Sequence, residues 1–143
     1  MIDKTKTYWT GDSADDIADY LRAYTAEPSI DVKPVACRSC GSGVLEVKVD
    51  QDEGAVQVIC PLCGAQKILL DCEEIWADAR PKPVKCPICR DKRCNVQVGF
   101  LRRENGSAKW VYVGNRCVGC GTLGSYLDWK IDHEPTDEME QNL

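Results

Sequence analysis

Eight of the ten cysteines stand in four C-x-x-C pairs, Cys37/Cys40, Cys60/Cys63, Cys86/Cys89 and Cys117/Cys120. A pair so spaced lets two sulfurs grip one ion from a single tight turn, but it fills only half of a tetrahedral shell, so two pairs must converge on each metal. Four pairs therefore predict two ions per chain. Pairing nearest neighbours gives site 1 from Cys37, Cys40, Cys60 and Cys63 and site 2 from Cys86, Cys89, Cys117 and Cys120, each couple bracketing a hairpin-like segment. Crossed pairing would also hold two ions, with the halves of the chain interleaved. Dithiol redox chemistry would ask for a βαβ frame around an exposed pair, a pattern the sequence does not show.

The two halves repeat each other. An ungapped shift of 49 lays the first knuckle and strand of one copy on the other, so that Leu45, Val47 and Val49 meet Cys94, Val96 and Val98. After a longer hairpin in the second copy the shift becomes 57, and CGAQKILLD (63–71) lies on CGTLGSYLD (120–128). This is an internal duplication. In that alignment Cys72 falls opposite Trp129 and Cys94 opposite Leu45, so both leftover cysteines occupy large apolar positions. They are expected to pack as small buried hydrophobes rather than to bind metal or react.

The paired knuckles, over about residues 35–71 and 84–128, resemble the zinc-ribbon (rubredoxin-like) group, in which two knuckles at the ends of short antiparallel strands hold one zinc in a four-thiolate cage. The resemblance implies Zn2+ at both sites; iron in the same cages would make an electron carrier. Three knuckles carry glycine after the second cysteine, Gly41, Gly64 and Gly121, where positive φ lets backbone amides aim at the sulfurs. The third has Arg90 instead and is expected to differ in geometry. Each half is too small to offset its chain entropy by apolar burial. A thiolate zinc site supplies on the order of 10 kcal/mol of folding free energy. The group hosts many functions, so the resemblance implies a fold element and no particular activity.

The expected frame is a small, β-rich α+β protein: two tandem ribbons with an N-terminal amphipathic helix. The divisions fall at 1–34 (arm and helix), 35–80 (ribbon 1 with a short helix), 81–132 (ribbon 2) and 133–143 (an acidic tail). Ile17, Tyr20, Leu21 and Tyr24 recur at helical spacing, which predicts a helix over Ser13–Tyr24, capped by Ser13 and stopped before Pro28. DCEEIWADA (71–79) predicts a second short helix, with Asp71 as cap and Glu74 as its capping-box partner. ARPKPVK reads as the connector. NVQVGFLRRENGSAKWVYVGN alternates about Asn105-Gly106, a hairpin signal that pairs Val98/Val113 and Phe100/Val111 on one face and Leu101/Trp110 and Gly99/Tyr112 on the other.

Net charge is -5, unevenly spread: residues 82–116 carry nine Lys+Arg against two Asp+Glu, while both flanking segments are acidic. The hairpin register sets Arg102 opposite Lys109, with Arg103 adjacent and Arg90, Lys92 and Arg93 near the third knuckle. Like charges across a ladder are unfavourable unless an anion separates them or they splay into water. That anion is a nucleic acid, an acidic partner, or the chain's own Asp12, Asp15, Asp16, Asp19 or tail. Trp110 and Tyr112 would stack on bases in the first case and pack as core in the others. An overall acidic chain is repelled from polyanions at long range. The favoured reading is a non-enzymatic zinc protein presenting a surface to a protein partner. Nucleic-acid binding through the basic hairpin of ribbon 2 comes second. No nucleophile motif, phosphate-binding loop or open metal site appears, and the single His133 lies in the acidic tail. The start lacks a signal-like apolar run and no stretch would span a bilayer, so a cytoplasmic setting is expected, where thiols stay reduced.

Overall fold

The computed structural model describes residues 1–143. Its strands are β1 (Asp31–Val35), β2 (Glu46–Asp50), β3 (Ala55–Ile59), β4 (Gln66–Ile68), β5 (Lys82–Pro83), β6 (Cys94–Arg102), β7 (Ala108–Cys117) and β8 (Leu123–Lys130); the helices are α1 (Asp16–Thr25) and the single turn α2 (Asp137–Glu140). They form two four-stranded sheets, ordered β1-β6-β7-β8 and β4-β3-β2-β5. The protein is thus small and β-rich, with one substantial helix. No helix is long and apolar enough to cross a membrane.

Alternating apolar residues decide which face of each sheet is buried. Val96, Val98 and Phe100 of β6 and Val111 and Val113 of β7 turn to one side, where they meet Val47, Val56 and Val58 of the other sheet in a single cluster of 21 buried residues. The core therefore spans both halves of the duplication. On the opposite face of the larger sheet lies α1, whose Ile17, Tyr20 and Leu21 pack with Leu123. The helix comes close because β6 and β7 present Gly99 and Gly114 there. A Cβ on Gly114 would stand 2.7 Å from Ile17 Cγ2, and one on Gly99 2.6 Å from Ile30 Cγ2.

Several local expectations are corrected. Helix α1 begins at Asp16 rather than Ser13: the Asp16 carboxylate accepts the amides of Asp12 (2.7 Å) and Ser13 (3.2 Å), and so closes the turn before the helix. Over 71–79 there is no α-helix but two short 3-10 turns, Cys72–Glu74 and Trp76–Asp78, and Asp71 makes no capping bond. Its carboxylate faces His133 at 3.1 Å. The connector contains β5. The tail is not loose. Thr136, Met139 and Glu140 are buried, Leu70 N–H donates to Asn142 O at 2.8 Å, and the Asn142 amide donates to Leu70 O at 2.7 Å. An aperiodic acidic stretch thus folds by borrowing a groove made elsewhere in the chain, a partnership that local composition does not encode.

Candidate metal centres

Four knuckles are built to one plan. In each, the amide after the second cysteine donates to the carbonyl of the first: Gly41 to Cys37, Gly64 to Cys60 and Gly121 to Cys117 at 2.8 Å, and Arg90 to Cys86 at 3.0 Å. A second bond runs from the first cysteine's amide to the residue five positions on, with Ser42, Ala65, Asp91 and Thr122 accepting. The three glycines have φ of +80°, +79° and +82°, and Arg90 adopts +68°. The expectation of a distinct third knuckle therefore fails. Arg90 takes up the left-handed conformation that glycine accepts freely, at a cost of about 1 kcal/mol.

The knuckles converge by nearest neighbours. Cys37 Sγ lies 3.5 Å from Cys63 Sγ and Cys40 3.6 Å from Cys60; in the other half Cys86 lies 3.5 Å from Cys120 and Cys89 3.4 Å from Cys117. Within each tetrad all four sulfurs fall within 4.8 Å of one another. A disulfide would need ~2.05 Å. A tetrahedral ion with metal–sulfur bonds of ~2.3 Å would set its sulfurs ~3.8 Å apart. Two four-cysteine sites that could each hold one ion are therefore present. In each knuckle the first cysteine is buried and the second exposed, so one side of each tetrad faces the core and the other faces solvent.

The thiols of each tetrad are shifted in opposite directions. The Cys40 amide, with others, lowers Cys37 to about 6. Despite the Ser42 amide, hydrogen bonding with Cys60 raises Cys40 to about 12. Without a cation such a tetrad holds thiols and thiolates together, and a divalent ion displaces the remaining protons. The Thr122 hydroxyl, 3.0 Å from Cys120 Sγ, is a polar neighbour that spacing alone did not single out.

The leftover cysteines are core. Cys72 is fully buried and Cys94 nearly so, and burial pushes their thiols up to about 11 and about 12. At neutral pH neither is a nucleophile.

The basic residues divide into two groups. Arg102 donates to Glu140 (2.7 Å) and Asp31 (2.7 Å) and lies 5.6 Å from the centre of the Phe100 ring. Burial would raise Glu140, but its bonds from Arg102 and Thr136 prevail and hold it below the ordinary carboxylate value. Arg103 pairs with Glu134 at 3.2 Å and donates to the carbonyls of Ala108 and Ile131. Lys109 does not face Arg102. A bulge pairs Arg102 with Ala108 while Leu101 keeps Trp110, so the expected like-charge confrontation is absent. The two arginines are paired within the molecule, Arg102 by Asp31 and Glu140 and Arg103 by Glu134, while Asp12 and Asp16 hold the N-terminal amine.

Trp110 donates to Asp128 at 3.0 Å, and its ring lies 6.5 Å from that of Tyr112, which packs against the α1 cluster. Around the third knuckle matters differ. Arg93 pairs with Asp91 at 2.9 Å, but Lys82, Lys85, Arg90 and Lys92 are exposed and have no carboxylate partner. Arg90 and Lys92 follow the exposed Ile88 (61%) closely in the chain, whereas Lys82 and Lys85 line a depression with Asp50, Asp52, Glu53 and Asp78.

No family model matches this chain, and no match was found among the curated proteins or the solved structures.

Proposed function

We propose that this chain is a non-enzymatic structural-zinc protein of the cytoplasm, whose two Zn2+ ions fix a rigid body that presents the third knuckle to an acidic protein partner. The observation that carries the reading is the exposed Ile88 on the third knuckle, preceded in the chain by Lys85 and followed by Arg90 and Lys92, all exposed and none in an ion pair. An apolar anchor flanked by charged residues matches the anatomy of a specific protein contact. Zinc supports it in two ways: the four-thiolate cages suit a redox-inert structural ion, and the sharp turn bearing Ile88 is held by Cys86 and Cys89.

Nucleic acid is the weaker reading. Arg102 and Arg103 are spent within the molecule, and Trp110 and Tyr112 are engaged with Asp128 and α1 rather than set beside free cations. The test is affinity purification of the native chain beside Ile88→Asp and a Lys85→Glu/Arg90→Glu/Lys92→Glu variant, with metal analysis of each. One protein that copurifies with the native chain, and is lost from both variants at unchanged zinc content, supports the reading. Retention of RNA or DNA that falls steeply with salt would replace it with nucleic-acid binding, and iron in the cages would replace it with electron transfer.

A further inference from the structure

The duplication does not give two self-contained ribbons. The repeated residues Lys33-Pro34-Val35 and Lys82-Pro83-Val84, each leading into the first cysteine of its own half, are placed on the sheet of the other half. In β1, Lys33 pairs with Val98 and Pro34 with Gln97 of β6. In β5, Lys82 pairs with Val49 and Pro83 with Lys48 of β2. These are the same pairings with the halves exchanged, because Val98 and Gln97 are the repeat partners of Val49 and Lys48. The correspondence extends one residue further, since Val35 pairs with Val96 and the Val84 amide donates to Val47 O at 2.9 Å.

At the centre of this exchange Leu45 and Cys94, themselves repeat partners, hydrogen-bond to each other in both directions at 2.8 and 2.7 Å. A residue that pairs with its own repeat partner marks a pseudo-two-fold axis. The body has the isologous form of a strand-exchanged homodimer, written in one chain.

We propose that the two cysteine centres fill and empty as a coupled pair, with the coupling carried by this reciprocal strand exchange; the proposal rests on the metal-binding reading above. Val35 lies two residues before Cys37, so an ion at site 1 that fixes Cys37 also fixes β1 against β6. The base of β6 is Cys94, paired directly with Cys117 of site 2. In the other direction Val84 lies two residues before Cys86, and an ion at site 2 holds β5 against β2, whose Glu46 pairs with Ile59 beside Cys60. The first ion therefore orders sheet that the second would otherwise have to order, and the second binds more tightly. Linkage requires the effect to be equal in both directions.

The experiment is native mass spectrometry of the whole metal-free chain titrated with Zn2+. Independent, equal sites would leave about half of all chains with one ion at half-saturation, whereas a tenfold coupling, within the usual range, cuts that share to about a quarter. Depletion of the one-ion chain is expected, and the independent distribution would overturn the coupling while leaving the metal reading intact. A chain that takes up no ion would overturn both.

A second measurement uses Co2+ absorption on Cys37→Ser/Cys40→Ser and, separately, on Cys86→Ser/Cys89→Ser. Each variant is expected to bind at its intact site at least about tenfold more weakly than the native chain binds its second ion. An intact site with undiminished affinity in either variant would defeat the proposal.

Discussion

At Arg90 the demands of the backbone and of the proposed recognition can be told apart. It sits in a backbone conformation that glycine occupies in the three sister knuckles, and its guanidinium has no ion-pair partner. Arg90→Gly is therefore expected to keep both cysteine tetrads able to bind metal and to hold or raise thermal stability, by up to about 1 kcal/mol, while weakening capture of the proposed partner. Thermal melts and binding assays on one preparation check both halves of that statement. Cys72 and Cys94 make the opposite case: burial holds them as thiols at neutral pH, so alkylation of the metal-loaded protein should leave both unmodified, as peptide mapping would show. Had either been alkylated as fast as a free thiol, the core assignment would be wrong.

Among the elements, α1 and the C-terminal segment are held by different physics. Docking of α1 depends on missing side chains, and Gly114→Ala would drive a methyl into Ile17; overpacking of this kind costs about 1–3 kcal/mol, read as a lower chemical-denaturation midpoint. The C-terminal segment depends on charge. Removing the carboxylate in Glu140→Gln should cost about 1.5–3 kcal/mol at neutral pH. Because Glu140 is held below its ordinary value of 4.5, its contribution is complete above that pH and fades as the medium falls through the lower folded value. The difference between wild type and Glu140→Gln should shrink correspondingly below pH 4.5. A difference that grew with acidity would mean that the protonated acid, not the carboxylate, holds Arg102.

At the scale of the whole molecule, the proposed structural role would make metal and fold one equilibrium: complete chelation is expected to abolish the native sheet signal in circular dichroism, and a chain still folded without metal would refute that role. Much of this body was legible beforehand. The cysteine spacing gave both tetrads, the repeat placed Cys72 and Cys94 in the core, and alternation gave the register from Val98/Val113 to Leu101/Trp110. What escaped was non-local. The repeated Lys-Pro-Val looked like a connector because a short stretch with proline signals an end of structure, and only tertiary placement makes it a strand on a foreign sheet. Arg102 and Arg103 looked available because their partners, Asp31, Glu134 and Glu140, lie far away in sequence. The pairing of Leu45 with Cys94 carries one more implication. In a dimer of identical halves one substitution there would strike both sides of a single contact, but within one chain the two sides are encoded separately and differ, as Leu45 and Cys94. A fused pair is thus free to lose its symmetry even at its own axis, as it has at the far hairpin tips, where the second copy is longer than the first.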